Sequence, residues 1–273
     1  MPEGPEIRLA ADAVARVLVG HEIVDVSLQL PGLKRFEKRL RGATVTAVDT
    51  RGKAMLTRFD NGLTLYSHNQ LYGRWYTTRR PRFPRTRRQQ RVALHTATHS
   101  ALLYSASDIE VLTAKQEARH PFLERVGPDI LDPALDKAAI VERLSARAFR
   151  NRALGGLYLD QAFLAGNGNY LRSEILWSAG LNPGQRPAGV SACQLGRLAN
   201  DTLVIARRSY RTRGITAPPK AVRERKALGM SYAQYRFQVY GRAGSPCYSC
   251  GTTIERLDSG SRAVFICPEC QPG

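Results

Sequence analysis

The chain has 273 residues, of which 43% are hydrophobic and 23% charged, and it carries a formal net charge of +18 at pH 7. This length suits one large or two ordinary domains with a packed core, and the composition is that of a soluble globular protein. No apolar run approaches the roughly 20 residues of a membrane span, and the N-terminus lacks the hydrophobic core of a signal peptide. We therefore expect a cytoplasmic protein with no membrane partner.

The charge is unevenly distributed along the chain. Residues 61–107 include eight arginines and no acidic residue, and residues 175–254 include twelve basic and two acidic residues. Residues 108–142, in contrast, hold eight acidic and four basic residues. Such basic patches indicate a polyanionic partner. Nucleic acid is favoured over a membrane surface, because the sequence has no strongly amphipathic basic helix.

The first half of the chain reads as one helix followed by short strands. Apolar residues at helical spacing predict a helix at residues 5–19, ended by Gly20. The hydrophobic period then changes to two, which is typical of strands, and Gly, Asn or Pro separates most of the runs. We predict a β-sandwich flanked by helices, within an α+β protein of two domains. The seven predicted strands are 23–30, 44–48, 55–59, 63–67, 74–77, 91–96 and 102–105.

The second half reads as helical, with helices predicted at 137–144, 155–164, 171–179 and 192–210. Glycine and prolines interrupt residues 126–133, which are expected to link a domain at 1–125 to the helical part at 134–235. Cys193 is expected to be a small core residue. Two basic segments are expected to lack regular structure. Residues 79–91, with seven arginines in thirteen residues, are expected to form a mobile connection between strands. Residues 215–235 are expected to form a loop.

The N-terminal sequence Met-Pro-Glu allows covalent catalysis by an amine. Removal of Met1 would leave Pro2 with a free secondary amine, which condenses with an aldehyde to an iminium ion and so serves as nucleophile and electron sink. A model α-amino group titrates near about 7.7–8.0, so part of it is unprotonated at neutral pH. Glu3 is placed to move a proton. Many chains begin Met-Pro, however, so this motif alone does not separate catalysis from the start of a helix.

Four cysteines near the C-terminus have the spacing of a metal site. Cys247 and Cys250 form one CxxC pair, and Cys267 and Cys270 form a second pair after sixteen intervening residues. Two thiolate pairs suit a tetrahedral zinc ion that closes a hairpin too small to fold alone. Disulfides are the weaker alternative, since nothing else suggests an oxidising compartment. We predict one structural zinc ion with no coordination position left for a catalytic water.

Three turns carry polar residues suited to nucleic-acid contacts. In the Gly-Asn-Gly-Asn turn that ends at Asn169, the glycines permit a tight reversal that presents N–H groups to a phosphate at a helix N-terminus. Gln70, Leu71 and Tyr72 lie together on a predicted loop, where an apolar residue can wedge into a base stack. Lys53 belongs to a basic turn between strands, Arg51-Gly52-Lys53, which could hold its side chain against a backbone phosphate. Each is also compatible with an ordinary role, as a helix–helix turn, a buried β-turn or a solvated loop.

Together these features resemble the bacterial formamidopyrimidine-DNA glycosylase/endonuclease VIII family. Pro2-Glu3, Lys53, the turn at 166–169 and the cysteine pairs occur in the family's order from end to end. The contiguous Gln70-Leu71-Tyr72, with segments 1–8, 103–110 and 159–166, is similar to the endonuclease VIII branch, which prefers oxidised pyrimidines. The resemblance implies a helix–two-turn–helix bundle at 134–235 and a zinc-ribbon finger at 236–273.

The resemblance also implies roles for individual residues. Pro2 would attack C1′ of the damaged nucleotide, and Glu3 would assist protonation and ring opening. Lys53 would donate a proton or hold a phosphate during β-elimination, and Arg262 would bind phosphate and serve δ-elimination. The implied partner is double-stranded DNA with an oxidised base or abasic site, processed by a monomeric glycosylase and abasic-site lyase. Contacts to this DNA would come from Gln70, Leu71, Tyr72, Arg125 and Asn169.

Three other functions are compatible with the sequence. Excision of oxidised purines is the alternative within the same chemistry. A non-catalytic module that recognises bent or damaged DNA through the ribbon and the helical turn needs no free amine at Pro2. An RNA-binding zinc-ribbon protein explains the charge, but it does not explain the combination of Pro2-Glu3, Lys53 and Asn169.

Overall fold

The computed structural model describes residues 2–259 and 262–273, and these divide into two compact units. Unit 1 contains Pro2 and Glu6–Arg125, and unit 2 contains Glu3–Pro5 and Val126–Gly273. The chain therefore passes from unit 1 to unit 2 between Pro2 and Glu3. Met1, whose removal the amine chemistry requires, lies outside the described residues, as do Gly260 and Ser261, which directly precede Arg262.

Unit 1 is a sandwich of two antiparallel sheets, as the change of hydrophobic period predicts. Its strands are β1 (Asp25–Leu28), β2 (Val45–Arg51), β3 (Ala54–Phe59), β4 (Leu63–His68), β5 (Arg74–Arg79), β6 (Gln90–His95), β7 (His99–Tyr104) and β8 (Asp108–Thr113). One sheet has the order β1-β6-β7-β5 and the other β2-β3-β4-β8. Residues of both sheets, such as Leu94 and Leu103 in one and Met55 and Leu65 in the other, are buried in a single apolar cluster.

Helices flank the sandwich in sequence, as expected. They are α1 (Gly4–Leu18), α2 (Glu37–Leu40), α3 (Ala114–Ala118) and α4 (Pro121–Arg125), with a 3₁₀ turn at Lys34–Phe36. The apolar face of α1 packs into the sandwich core through Ala11, Val14 and Leu18. The helix predicted at 5–19 is therefore present one residue earlier at each end.

Unit 1 has one strand more than the seven predicted. Strand β8 is an edge strand that pairs with β4, with Val111 opposite Leu65. Its acidic residues Asp108 and Glu110 are depleted in strands generally, but they alternate with buried Ile109 and Val111. An exposed edge tolerates charge on one face, so the alternation was the correct signal and the composition was misleading.

Unit 2 consists of helices followed by a β-hairpin. The helices are α5 (Lys137–Ser145), α6 (Leu154–Leu157), α7 (Asn169–Ala179), α8 (Ala192–Arg211), α9 (Pro219–Ala227) and α10 (Tyr232–Tyr235), with a 3₁₀ turn at Pro187–Gly189, and the hairpin strands are β9 (Glu255–Ser259) and β10 (Arg262–Ile266). Ile140 of α5, Leu171 of α7 and Leu198 of α8 are fully buried in one cluster. Sandwich, helical bundle and terminal hairpin confirm the predicted α+β fold. Within the described residues, no helix combines the length and apolar character needed to cross a bilayer.

Two segments of unit 2 have a different structure from the one predicted. Residues 126–133, expected to be a linker, fold as part of unit 2, where Ile130 is fully buried and its N–H donates to the Ala165 carbonyl at 3.0 Å. The helix predicted at 155–164 is only the short α6. The Asp160 carboxylate accepts the N–H of Ala162 at 2.8 Å, and this local turn replaces a continuing helix.

Two further expectations are wrong. The segment at 215–235 is not a loop, because it contains α9 and α10. Pro219 begins α9 at a first-turn position, where a missing N–H is tolerated. Cys193 is exposed on α8 rather than buried in the core.

Candidate functional site

Glu3 lies at the N-terminus of α7, within unit 2. Its carboxylate accepts hydrogen bonds from the N–H groups of Tyr170 at 2.8 Å and Leu171 at 3.3 Å. The N-cap residue of α7 is Gly168, which has no side chain to accept these bonds, so Glu3 supplies the acceptor from 165 residues earlier in the chain. The helix N-terminus also favours a negative charge. Glu3 is consequently fixed, with only 3% of its surface exposed.

The Gly-Asn-Gly-Asn turn packs closely against this N-terminal segment. The N–H of Gly4 donates to the Gly166 carbonyl at 2.8 Å, and Gly166 has a φ of 95°, as a tight reversal requires. Gly168 is needed for a different reason. Its backbone is extended, but a Cβ atom there would lie 2.6 Å from Cγ of Glu3 and overlap the carboxylate. The absence of a side chain at Gly168 therefore makes the room that Glu3 occupies.

Asn169 and Arg262 are brought together by Arg172, a fully buried residue of α7. The Nη2 group of Arg172 donates to Oδ1 of Asn169 at 2.5 Å and to the backbone carbonyls of Arg262 at 3.2 Å and Ala263 at 3.0 Å. Burial lowers the pKa of Arg172 to about 10, an effect that Arg262 adds to and Glu3 opposes, so the guanidinium stays charged at neutral pH. Arg172 is not among the site residues predicted from sequence, and its spacing of three residues from Asn169 is its one local signal.

A second missed residue, Glu174, ties α7 to the segment before the cysteines. Its buried carboxylate accepts the N–H groups of Gln238, Val239 and Tyr240 and the hydroxyl of Thr216, at 2.6 to 3.1 Å. A carboxylate that accepts this many hydrogen bonds replaces its lost hydration. Glu174 thus fixes where the chain enters the ribbon.

The four cysteines form one cluster, with all Sγ atoms within 4.8 Å of one another. Sγ of Cys250 lies 3.4 Å from Sγ of Cys267 and 3.5 Å from Sγ of Cys270, and Sγ of Cys247 lies 3.9 Å from Sγ of Cys270. A tetrahedral ion bound at about 2.3 Å places its sulfurs roughly 3.8 Å apart, whereas a disulfide needs about 2.05 Å. The donor set therefore fits one tetrahedral metal ion, with the hairpin β9–β10 between the two pairs.

Within unit 1, Lys53 lies at the sheet end from which residues 69–73 project. Lys53 follows β2, is 7% exposed and precedes Ala54, which pairs with His68 at the end of β4. Burial lowers the pKa of His68, the charge of Lys53 lowers it further and Asp108 raises it. His68 is thereby kept neutral close to a buried ammonium group.

Residues 69–73 form the wedge turn, and the two largest side chains of this turn are exposed. Leu71 is 51% and Tyr72 65% exposed, so the alternative of a buried β-turn is wrong. Gln70 has a φ of 50°, and the N–H of Gly73 donates to the Asn69 carbonyl at 2.7 Å, which closes the turn. An exposed apolar pair on a tight turn has the shape needed to enter a base stack.

The remaining two predicted site residues belong to unit 1 as well. Pro2 is half-buried, directly before Glu3. Arg125 is exposed at the end of α4, where its Nε donates to the Pro121 carbonyl at 2.8 Å. Unit 1 therefore carries Pro2, Lys53, the wedge turn and Arg125, and unit 2 assembles Glu3, Asn169, Arg262 and the cysteines.

The fold is shared with DNA glycosylases solved on DNA. MutM in complex with DNA containing carbocyclic 8-oxo-G is 21% identical with a TM-score of 0.81, and the match covers 100% of both chains. Lactococcus lactis Fpg in complex with DNA containing an abasic site is 22% identical with a TM-score of 0.81, over 99% of this chain and 100% of that one. At this identity the likeness establishes the fold and no more.

Sequence comparison establishes the family. The family model described as "Formamidopyrimidine-DNA glycosylase N-terminal domain" matches residues 1–107. Endonuclease 8 of Escherichia coli strain UMN026 is 52% identical over 271 residues, which is 99% of this chain and 100% of that protein, and so is Endonuclease 8 of strain CFT073. The chain belongs to the formamidopyrimidine-DNA glycosylase/endonuclease VIII family. It is a base-excision-repair DNA glycosylase and abasic-site lyase.

Proposed function

We propose that this protein excises oxidised pyrimidines from double-stranded DNA and cleaves the resulting strand by β- and δ-elimination, with Pro2 as the nucleophile. The observation that carries the proposal is the position of Glu3. Its carboxylate is fixed at a helix N-terminus, one residue after the proposed nucleophile. A proton shuttle must be held within reach of the reacting atoms, and a fixed carboxylate next in sequence to the nucleophile supports that role.

The reaction begins when the Pro2 nitrogen, freed by removal of Met1, bonds to C1′ and the damaged base leaves with the glycosidic electron pair. Glu3 supports protonation of the sugar oxygen, the ring opens, and the C1′–N bond becomes an iminium. The iminium acidifies C2′–H, whose loss expels the 3′ phosphate. A second deprotonation expels the 5′ phosphate, and water then releases Pro2. Lys53 donates a proton or holds phosphate in the first elimination, and Arg262 serves the second.

Unit 2 would hold the backbone of the extruded nucleotide. Asn169 is the first residue of α7, and its side-chain amide would contact a phosphate, because the N–H groups of Tyr170 and Leu171 are already bonded to Glu3. The bond from Arg172 fixes the Asn169 side chain and links it to the backbone of Arg262. Asn169 and Arg262 would therefore contact neighbouring phosphates as one pre-arranged pair. Arg125, in unit 1, would contact the DNA separately.

Zinc is the metal that best suits the cysteine cluster. Four thiolates in a compact tetrahedral arrangement are the usual ligands of structural zinc, and all four positions are taken by protein. When bound, zinc would close the hairpin β9–β10 without taking part in a reaction step. Cys247, Cys250, Cys267 and Cys270 would hold it.

Covalent trapping tests the proposed chemistry. Borohydride reduces an iminium to a stable amine, so processed protein incubated with duplex DNA containing an abasic site should yield an adduct on the peptide that begins with Pro2. Absence of any adduct from protein without Met1 would favour the non-catalytic DNA-binding module. Lesion preference is tested by comparing duplexes with thymine glycol and with 8-oxoguanine, because faster release of 8-oxoguanine would support the purine alternative.

Replacing Gly168 by Ala is expected to slow base excision at least about 100-fold. The new Cβ would force the Glu3 carboxylate from the helix N-terminus, and a displacement of about 1 Å can reduce a rate by that factor. The check is single-turnover release of the damaged base. Gly156→Ala is the matched control, because a Cβ there has no neighbour within 4 Å among the described atoms. Wild-type rates for Gly168→Ala would remove Glu3 from the mechanism.

Replacing Arg82, Arg85 and Arg87 by Ser should make DNA binding less dependent on salt. These exposed arginines lie in the connection between β5 and β6. Each neutralised phosphate adds about 0.9 to the slope of log affinity against log salt on duplex DNA, so loss of three contacts reduces it by up to about 2.7. Titrations at several salt concentrations measure the slope, with Arg39→Ser on α2 as a control. An unchanged slope would mean that the connection does not contact phosphate.

A further inference from the structure

Two hydrogen bonds of Gln70 hold the start of the wedge turn in position. The N–H of Gln70 donates to Nδ1 of His68 at 3.1 Å, and Oε1 of Gln70 accepts the hydroxyl of Ser107 at 2.8 Å. These contacts stabilise the left-handed backbone of Gln70, which non-glycine residues adopt only at a cost. They fix the start of the turn and leave the intercalating residues Leu71 and Tyr72 to be fixed by other means.

A residue of the arginine-rich connection between β5 and β6 holds the end of the wedge turn. Nη1 of Arg88 donates to the backbone carbonyl of Tyr72. Arg88 lies between β5 and β6, sixteen residues beyond Tyr72, and belongs to the arginine run at 79–91 that was predicted to be a mobile connection. An arginine suits this position, because its length spans the gap and one edge of the guanidinium can bond a carbonyl while the other edge stays free.

We propose that Arg88 is a positioning residue for DNA intercalation, which holds Leu71 and Tyr72 in the conformation that enters the base stack. This inference rests on the proposed function. Arg88 thereby joins the arginine-rich connection to the wedge turn, so that phosphate binding by the connection and filling of the stack by the wedge turn occur together. The role is separate from the chemistry at Pro2.

The physical reason is the cost of ordering the turn. Leu71 and Tyr72 are largely exposed, so few of their own contacts hold them outward. Extrusion of a nucleotide already costs a few kcal/mol, which the protein must offset with contacts to DNA. A turn ordered in advance by Arg88 avoids a further loss of conformational freedom during that step. Loss of Arg88 should therefore slow intercalation more than it weakens encounter with DNA.

The experiment compares Arg88→Ala with Arg39→Ala, which replaces an exposed arginine of α2, and with Arg88→Lys. All are bound at saturating concentration to a duplex with a stable abasic analogue and 2-aminopurine opposite it, whose fluorescence reports stacking. We expect the fluorescence change to be about tenfold slower for Arg88→Ala, which is the effect of losing roughly one charged hydrogen bond. Arg39→Ala should match wild type, and Arg88→Lys should recover part of the rate by donating to the same carbonyl.

Borohydride trapping on single-stranded abasic DNA separates positioning from chemistry, because that substrate has no base stack to fill. Arg88→Ala should trap at the wild-type rate there. A wild-type fluorescence rate on the duplex, or an equal loss for Arg39→Ala, would overturn the role of Arg88. So would slow trapping of Arg88→Ala on the single strand, which would indicate general damage. Failure of the wild-type protein to trap at all would reject the proposed function, while the fluorescence comparison would still decide the role of Arg88.

Discussion

Protein with an acetylated Pro2 nitrogen is expected to give no borohydride-stable adduct. Its rate of strand cleavage should fall on the order of 10⁴-fold or more, as it does when a nucleophile is removed from other enzymes. The lone pair of an amide nitrogen is delocalised into the carbonyl, so it neither attacks C1′ nor forms an iminium. Binding to abasic DNA should change little, because at most one charge is lost from a chain of net charge +18. Trapping yield and equilibrium affinity, measured on the same preparation, check both parts.

Glu3→Gln is the informative comparison for this experiment. Tyr170 and Leu171 bond to different oxygens of Glu3, so a glutamine with its single carbonyl oxygen can keep one of these two N–H bonds, but it cannot take up or release a proton. Adducts with a preformed abasic aldehyde should persist, while excision of an intact damaged nucleotide should fall steeply. Full cleavage by the acetylated protein would mean that another group forms the covalent bond, whatever the behaviour of Glu3→Gln.

The features predicted correctly from sequence are those that short-range patterns encode. Helix α1, most strands of the sandwich and the cysteine cluster follow from periodicity and spacing within a few residues. The assembly around α7 does not. Glu3 meets Tyr170 across 167 positions and Arg172 meets the Arg262 carbonyl across 90, and no local pattern reports such contacts. Pro2, Glu3 and Asn169 could be proposed as site residues from their chemistry alone. Arg172, which joins Asn169 to Arg262, became evident only from the structure.

The segment at 215–235 shows why composition misled. Its prolines and basic residues are typical of a loop, yet α9 is fixed against the ribbon by contacts from distant residues. The Tyr248 ring lies between two guanidinium groups, with Cζ of Arg225 3.6 Å and Cζ of Arg242 3.4 Å from its centroid. Arg225 also donates to Oε1 of Gln238 at 2.5 Å. Cation–π contacts of this kind stabilise a basic helix that its own sequence would leave marginal.

Replacement of Cys267 by Ser is expected to remove the metal and to lower δ-elimination at least about tenfold. Cys267 is fully buried in a small cluster with Val239, Cys247 and Ile254, which offers too little apolar surface to hold β9–β10 alone. Arg172 would still bond the Arg262 carbonyl, but without the metal the hairpin would place the Arg262 side chain less precisely for the second elimination. Cys193→Ser, an exposed cysteine outside the cluster, is the matched control.

Three measurements on the same two variants separate the outcomes. Metal content should fall from one ion per chain to none in Cys267→Ser and stay at one in Cys193→Ser. Hydrogen exchange should accelerate in β9 and β10. It should also accelerate in α9, because Arg225 of α9 stacks on the ring of Tyr248 in the ribbon. Cleavage products should shift from β,δ towards β alone, since Pro2, Glu3 and Lys53 lie outside the ribbon. A metal-free Cys267→Ser protein that still completes δ-elimination at the wild-type rate would show that Arg262 needs no metal-held hairpin, or is not the residue that serves this step.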